Sequence, residues 1–320
     1  MKKIAGALGL AIMLATSAQA GPACEYLRHY VALEPQSGAE LQMQDEQGAC
    51  RVHNAQWSTG YSSMLLAFDE LVLQDKGLAD FSGQQDMPQA IEMAISGIYV
   101  LTGRLPGQDY IMRLQAKPMD FSLKYHWDPA SAHLYLEQLR LRSQSLREFR
   151  VQAQFGIESA AGRALSQSEL EQAQLKSLRL YLDNQNLIQS MVMPVVVMSM
   201  SMDEDPRPSI DKALLAARTA VRLMPDSVAD RDSRHALLAF IGQLPAPQGR
   251  LSLDVKMDPP WSMVHLEPGV SVEGVRQMLS GLRLHAKFET GQTPAVYAWL
   301  RDHVRSGLQW LAQRKTAVAP

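Results

Sequence analysis

The chain lacks most of the features that announce an activity. Among 320 residues it has 2 cysteines, and charged residues make up 20%. So little cysteine excludes a disulfide-dense mini-protein. Lys and Arg number 31 against 33 Asp and Glu, a formal charge of −2, so no excess of positive charge marks a nucleic-acid binder. No Gly-x-Ser-x-Gly elbow, phosphate-binding loop or Gly-x-Gly-x-x-Gly turn is present. The 8 histidines form no His-x-His, His-x3-His or His-Glu-x2-His pair, so no zinc site is spelled out. The 46% hydrophobic content is that of a globular protein and excludes a disordered chain.

What is present begins with an address. Lys2 and Lys3 precede an apolar run from Ile4 to Ala15, and Ala18-Gln19-Ala20 is a small-x-small cleavage site. Residues 1–20 are expected to be a secretory signal cut between Ala20 and Gly21. The loss of two lysines would give the mature chain a charge of −2 − 2 = −4. No later stretch is long and charge-free enough to span a bilayer, so the expected location is the periplasm. In that oxidising compartment Cys24 and Cys50 are expected to form a disulfide, stabilising the fold by ~3 kcal/mol through the unfolded chain. The alternative is a two-Cys, two-His metal site with His29 and His53.

Period-two alternation marks half-buried strands. It is clearest in Phe149–Ile157, in Leu251–Met257 and in Leu282–Phe288. Ala39–Met43 and Ala49–Trp57, separated by Glu46-Gln47-Gly48, read as a hairpin. Segment 132–142 changes phase between Leu134, Leu136 and Leu139, Leu141, which places a bulge at Glu137-Gln138. An apolar-x-x-Leu-x-Leu pattern recurs at Phe68, Leu136, Leu175 and Leu279 with irregular spacing. That excludes a fixed-period solenoid and fits repeated strand entry into one antiparallel sheet, or a degenerate duplication. Pro129 and Pro259 are expected to stop their strands. The aromatics beside them, Tyr125, Trp127 and Trp261, would pack at a sheet edge or line a pocket mouth.

Helices are expected later in the chain. Ser168 and Glu171 fit a capping box, 187–202 reads as a buried helix, and Ser209 would cap 210–223 with Ile210, Leu214, Ala217 and Val221 on one face. Residues 231–244 form another helix, and Thr293-Pro294 opens a last one whose face carries Val296, Trp299, Leu300, Val304, Leu308 and Leu311. The order predicts an α+β fold: curved antiparallel sheets with helices packed on one face. The polar stretch Glu158–Gln174 divides a strand-rich N-terminal domain, 21–158, from a C-terminal α+β domain, 159–320. Two halves of similar composition are the preferred arrangement.

Three local features invite chemistry. Met191, Met193, Met198, Met200 and Met202 crowd into twelve residues. Thioethers suit Cu(I), but the surrounding Val and Ile make core or ligand-pocket lining the stronger reading. These five methionines are therefore the candidate ligand-binding residues. Ser209-Ile-Asp-Lys212 matches Ser-x-x-Lys without its companion motifs, and a helix cap explains the same residues. Asp203-Glu204-Asp205 reads as a solvated loop with weak calcium binding as a remote option. No catalytic residue, cofactor or metal site is assigned.

Two stretches carry a resemblance: Leu178-Arg-Leu-Tyr-Leu-Asp-Asn-Gln-Asn-Leu-Ile188, followed by helices, and Gly249-Arg-Leu-Ser-Leu-Asp-Val-Lys-Met-Asp-Pro-Pro260. Over about 170–290 the chain resembles uncharacterised proteobacterial periplasmic β-rich proteins with that order of elements. Where those carry Arg or Lys after the first stretch, this chain has Gln189, Ser190 and methionines. The resemblance implies an envelope location and curved sheets of the kind that hold lipids, and it supplies no functional residues. The expected function is non-enzymatic binding of a lipid or other apolar ligand in the cell envelope. The alternatives are an envelope protein-protein interaction module and a Cu(I)-binding Met-rich protein. A hydrolase with dispersed catalytic residues would be visible only in three dimensions.

Overall fold

The computed structural model describes residues 21–291 except 32, 37–39, 47, 59–64, 79–86, 102–106, 108, 112–116, 144–146, 190–192, 194–204 and 263–279. A helix, α1 (Pro22–Tyr30), precedes eight strands: β1 (Leu33–Pro35), β2 (Gln42–Glu46), β3 (Ala49–Ser58), β4 (Leu65–Gln74), β5 (Ala90–Leu101), β6 (Met119–Asp128), β7 (His133–Ser143) and β8 (Arg147–Gly156). A single turn of 3-10 helix, Glu158–Ala160, and α2 (Gln167–Leu170) lead to β9 (Gln174–Asn184). Then come α3 (Arg207–Leu223), α4 (Arg231–Gln243), β10 (Gly249–Ser262) and β11 (Leu282–Thr290). The strands make one open, curved sheet of 11 strands ordered β1-β3-β4-β5-β6-β7-β8-β9-β10-β11, with β2 also on β3. Every strand pair is antiparallel. The expected α+β class with an antiparallel sheet holds. The stretch Glu158–Gln174, expected to separate two domains, connects β8 and β9, which pair with each other along their length.

Period-two sequence becomes a two-faced sheet because the register lines up like with like. One cross-strand row runs Cys50, Leu73, Met93, Leu123, Leu139, Val151, Leu180, Leu253, Ala286 through nine strands. A second runs Val52, Leu71, Ile95, Phe121, Leu141, Phe149, Leu182, Leu251, Phe288 through the same nine. The residues between them in sequence, such as Arg140, Arg150, Tyr181 and Ser252, face the other way. The bulge expected at Glu137-Gln138 is present: Lys124 pairs with Gln138 but Tyr125 with Leu136, and Leu136 and Leu139 pair with Ala153 and Val151. Without that extra residue, Leu134 and Leu136 would face away from Leu139 and Leu141.

Both ends of the sheet are covered. At the N-terminal end, Ala23, Cys24 and Leu27 of α1 join Val52, Phe68, Leu71 and Leu73 in the largest buried cluster, together with Ile157, Ala160 and Leu165 from the β8–β9 connection. The expected disulfide links Cys24 to Cys50 with their Cα atoms 5.0 Å apart. At the far end, Val221 of α3 and Leu237 of α4 bury against Ala286 of β11. The outer edge of β11 is occupied: the Leu284 amide donates to the Val228 carbonyl at 2.7 Å, and the Ala286 amide to the Ser233 hydroxyl at 3.0 Å. Ser233 is fully buried. Replacing it with alanine leaves a buried amide without an acceptor and should cost about 1–3 kcal/mol. Urea unfolding and faster exchange of the Ala286 amide would register it, and an unchanged exchange rate would refute it.

Three local expectations are corrected. The capping box is two residues earlier, Ser166 with Glu169, because Glu169 is also held by Arg163. Ser209 caps nothing: α3 starts at Arg207, whose amide donates to the Asp205 carboxylate at 3.1 Å, with Pro208 in the first turn, where its missing amide costs no helical bond. Ile210, Leu214, Ala217 and Val221 do form its less exposed face. Pro259 does not stop β10. Pairing with β9 lapses between Lys256 and Trp261 and then resumes, so both prolines sit in an irregularity that needs no ladder amide.

Candidate functional site

Of the five candidate methionines, Met193 lies among the described residues, packed against the buried cluster of Leu182, Leu187, Ile188 and Leu251. Met191, Met198, Met200 and Met202 lie outside the described residues, as do most of the expected 187–202 helix and all of the helix expected from Thr293. Asn184 anchors the start of that segment. It is buried, its side-chain amide donates to the Pro247 carbonyl, and its oxygen accepts from the Ile188 amide at 3.0 Å. The cluster that holds Met193 is thereby tied to β9 and to the α4–β10 connection.

Between the two covered ends, the apolar face is only partly shielded. In the first row Cys50, Leu73 and Ala286 are buried, whereas Met93, Leu123, Leu139, Val151, Leu180 and Leu253 are half-buried. Leu139 and Val151, a cross-strand pair at the centre, pack into none of the buried clusters formed by the described residues. At an inter-strand spacing of about 4.8 Å, the five steps from β5 to β10 give an apolar floor roughly 24 Å long. One lipid leaflet is about 15 Å deep in hydrocarbon, half of a 30 Å core. Alternation in the sequence supplied each strand's share of this floor. Its continuity comes from register, which pairs residues as distant as Leu180 and Leu253.

The opposite face is charged, and the strands, counted over both faces, differ in charge along the sheet. Strands β1–β6 carry two cations, Arg51 and Lys124, and eight carboxylates, 2 − 8 = −6. Strands β7–β11 carry ten cations and six carboxylates, 10 − 6 = +4. A cavity of about 430 Å³ opens on the β5–β6 side, bordered by Gln89, Glu92, Lys124, His126, Trp127 and Glu137. Of the aromatics expected at a sheet edge or a pocket mouth, Tyr125 and Trp127 border this cavity and Trp261 does not. The Trp127 indole itself is buried, donating to the Arg163 carbonyl at 2.8 Å. The bulge turns Glu137 back over β6, where its carboxylate meets His126 Nδ1 at 2.8 Å and Lys124 Nζ at 3.2 Å. Burial opposes the charge on Glu137, but the hydrogen bond and charge of Lys124, followed by His126, outweigh it and hold its carboxyl below the usual range. Lys124 is raised in turn, first by its hydrogen bond to Glu137. Lys124 also meets Glu92 at 3.5 Å, so three strands are tied through one ammonium and the cluster has the chemistry of a cross-strand brace. Sequence reading missed it because its members meet only through the β5–β6–β7 register.

Ser209 and Lys212 sit exposed on the first turns of α3. The metal alternative for the cysteines is superseded by their disulfide. Among the described residues no group of three or more His, Cys, Asp or Glu could hold a metal ion, and no helix is long and apolar enough to cross a membrane. No protein-family model, curated protein or solved structure matches the chain.

Proposed function

We propose that this is a periplasmic envelope protein, delivered by a cleaved signal at residues 1–20, that binds a lipid-like apolar ligand along the apolar face of its sheet. The observation that supports it is the half-buried row Met93, Leu123, Leu139, Val151, Leu180, Leu253, flanked by buried residues at both ends. A row this long with an apolar environment on one side gains from covering, at about 25 cal/mol per Å² of apolar surface removed from water. In this reading the helices at both ends lie over the same face, and Met193 adds adaptable lining. The occupied outer edge of β11 disfavours docking of a partner by strand addition at that end of the sheet, which needs free edge groups.

The test is native mass spectrometry of the mature chain purified without detergent, with organic extraction of any adduct. An extractable lipid on the wild type supports the proposal. A clean apo mass, or a copper-sized adduct in its place, overturns it. Val151→Asp puts a carboxylate in the centre of the floor and should cut ligand occupancy about tenfold or more. Gln154→Asp, on the opposite face of the same strand, should leave occupancy unchanged. Equal loss in both variants would mean that the effect came from instability and not from the floor.

A further inference from the structure

A second site lies on the charged face, and it is independent of the apolar ligand. Two cross-strand rows there run Arg150, Tyr181, Ser252, Lys287 and Gln152, Arg179, Asp254, His285 across β8 to β11. All eight side-chain positions border one open cleft of about 330 Å³. Three are cations and one is a carboxylate, 3 − 1 = +2, in a chain whose overall charge is −2. Tyr181 and Ser252 place two hydroxyls between the Arg150 and Lys287 ends of the first row, and Gln152 adds an amide, so the lining is dominated by donors.

Existing ion pairs leave that excess available. The guanidinium of Arg150 lies 5.7 Å from the centre of the Tyr181 ring, which fixes its place at the edge of the cleft. Its carboxylate partner, Glu148, is shared with Arg140, so one negative charge serves two guanidiniums. Arg179 meets Asp254 at 3.2 Å, but its side chain is 68% exposed, and exposed pairs of this kind contribute little and yield readily to a better anion. Lys287 has no ion pair among the described residues.

We propose that this cleft binds a phosphate dianion, presented either by a soluble phosphomonoester or by a lipid headgroup. Guanidiniums match tetrahedral oxyanions in a bidentate fork, an ammonium adds a point charge, and two hydroxyls complete the oxygen set. A charge near −2 on a phosphomonoester above pH ~7 is opposite in sign to the local excess.

The experiment is an NMR titration of the full mature chain with inorganic phosphate at low ionic strength, with chloride matched in ionic strength as the control. Saturable shifts at the Tyr181, Ser252 and Lys287 amides are expected with phosphate and not with chloride. The double variant Arg179→Gln/Lys287→Gln should weaken binding about tenfold or more, while Arg142→Gln, exposed and outside both rows, should not. Linear shifts with phosphate, equal shifts with chloride, or an unaffected double variant would each overturn the site. Unchanged spectra away from the cleft show that the variant is folded, and reversal of charge by Lys287→Glu repeats the test at a single exposed position. Competition by glycerol phosphate assigns a soluble ligand. Retention on vesicles of phosphatidic acid in phosphatidylcholine, with none on phosphatidylcholine alone, assigns a headgroup.

Discussion

Phe68→Ala is expected to destabilise the protein by about 3–5 kcal/mol, the range for emptying an aromatic site in a packed core. Phe68 is 2% exposed and sits on β4 opposite Ala55 of β3, with the half-buried Ile98 of β5 packed against the same cluster. Its cluster joins α1, strands β3–β7 and the β8–β9 connection, so a cavity there has neighbours on several elements and little freedom to collapse. A fall in the urea midpoint with an unchanged slope would register it. A loss below about 1 kcal/mol would mean that the site is not the close-packed centre described here. The variant also separates stability from binding. Its cavity lies at the covered end of the sheet, so below its unfolding midpoint the Val151 floor should still load ligand.

Reducing the disulfide should cost about 3 kcal/mol. Cys24 and Cys50 are 26 positions apart, and opening a loop of that size restores the corresponding entropy to the unfolded chain. Both residues are buried beside Leu27 and Val52, and the Ala23 amide next to Cys24 donates to the Asp75 carboxylate at 2.8 Å. Apolar packing therefore holds α1 in place even without the bond. The reduced protein and the Cys24→Ala/Cys50→Ala double variant should lose similar amounts of stability in denaturant titrations, with the folded state retained. If reduction changed nothing in the wild type, the two sulfurs would not be bonded in the purified protein. If it unfolded the chain outright, the packing of α1 would be weaker than its burial implies.

How much of this was legible in the sequence varies with the range of the interaction. Alternation located β3, β8, β10 and β11 because the side-chain period of a strand is local. The phase slip between Leu136 and Leu139 even located a bulge before any partner strand was known. The expected capping box, Ser168 with Glu171, has the same local pattern as the one that forms, Ser166 with Glu169. Arg163, six residues away, adds a hydrogen bond to Glu169 that the local pattern does not reveal. Pro259 misled for a related reason: a proline is forbidden only where the ladder needs its amide, and whether the ladder is present depends on β9. The charged cleft is the extreme case. Arg150, Arg179, Ser252 and Lys287 come from four strands spread over more than a hundred positions, and nothing in their local sequence distinguishes them from ordinary solvent-facing residues. The methionine cluster was visible at once, and only Met193 of it is among the described residues.

The strand order carries a consequence for how the molecule assembles. From β3 to β9 each strand pairs with the next one in the chain, so contacts can form by successive short closures whose entropy cost is small. The pairing of Asn184 with Gly249 breaks that economy: α3 and α4 lie in the chain between β9 and β10. A nascent chain can therefore zip up seven strands as it emerges, while the last two wait for the helices. Until they arrive β9 is itself an open edge, flanked by leucines at 178, 180 and 182, and is the point at which an unfinished molecule would adhere to another.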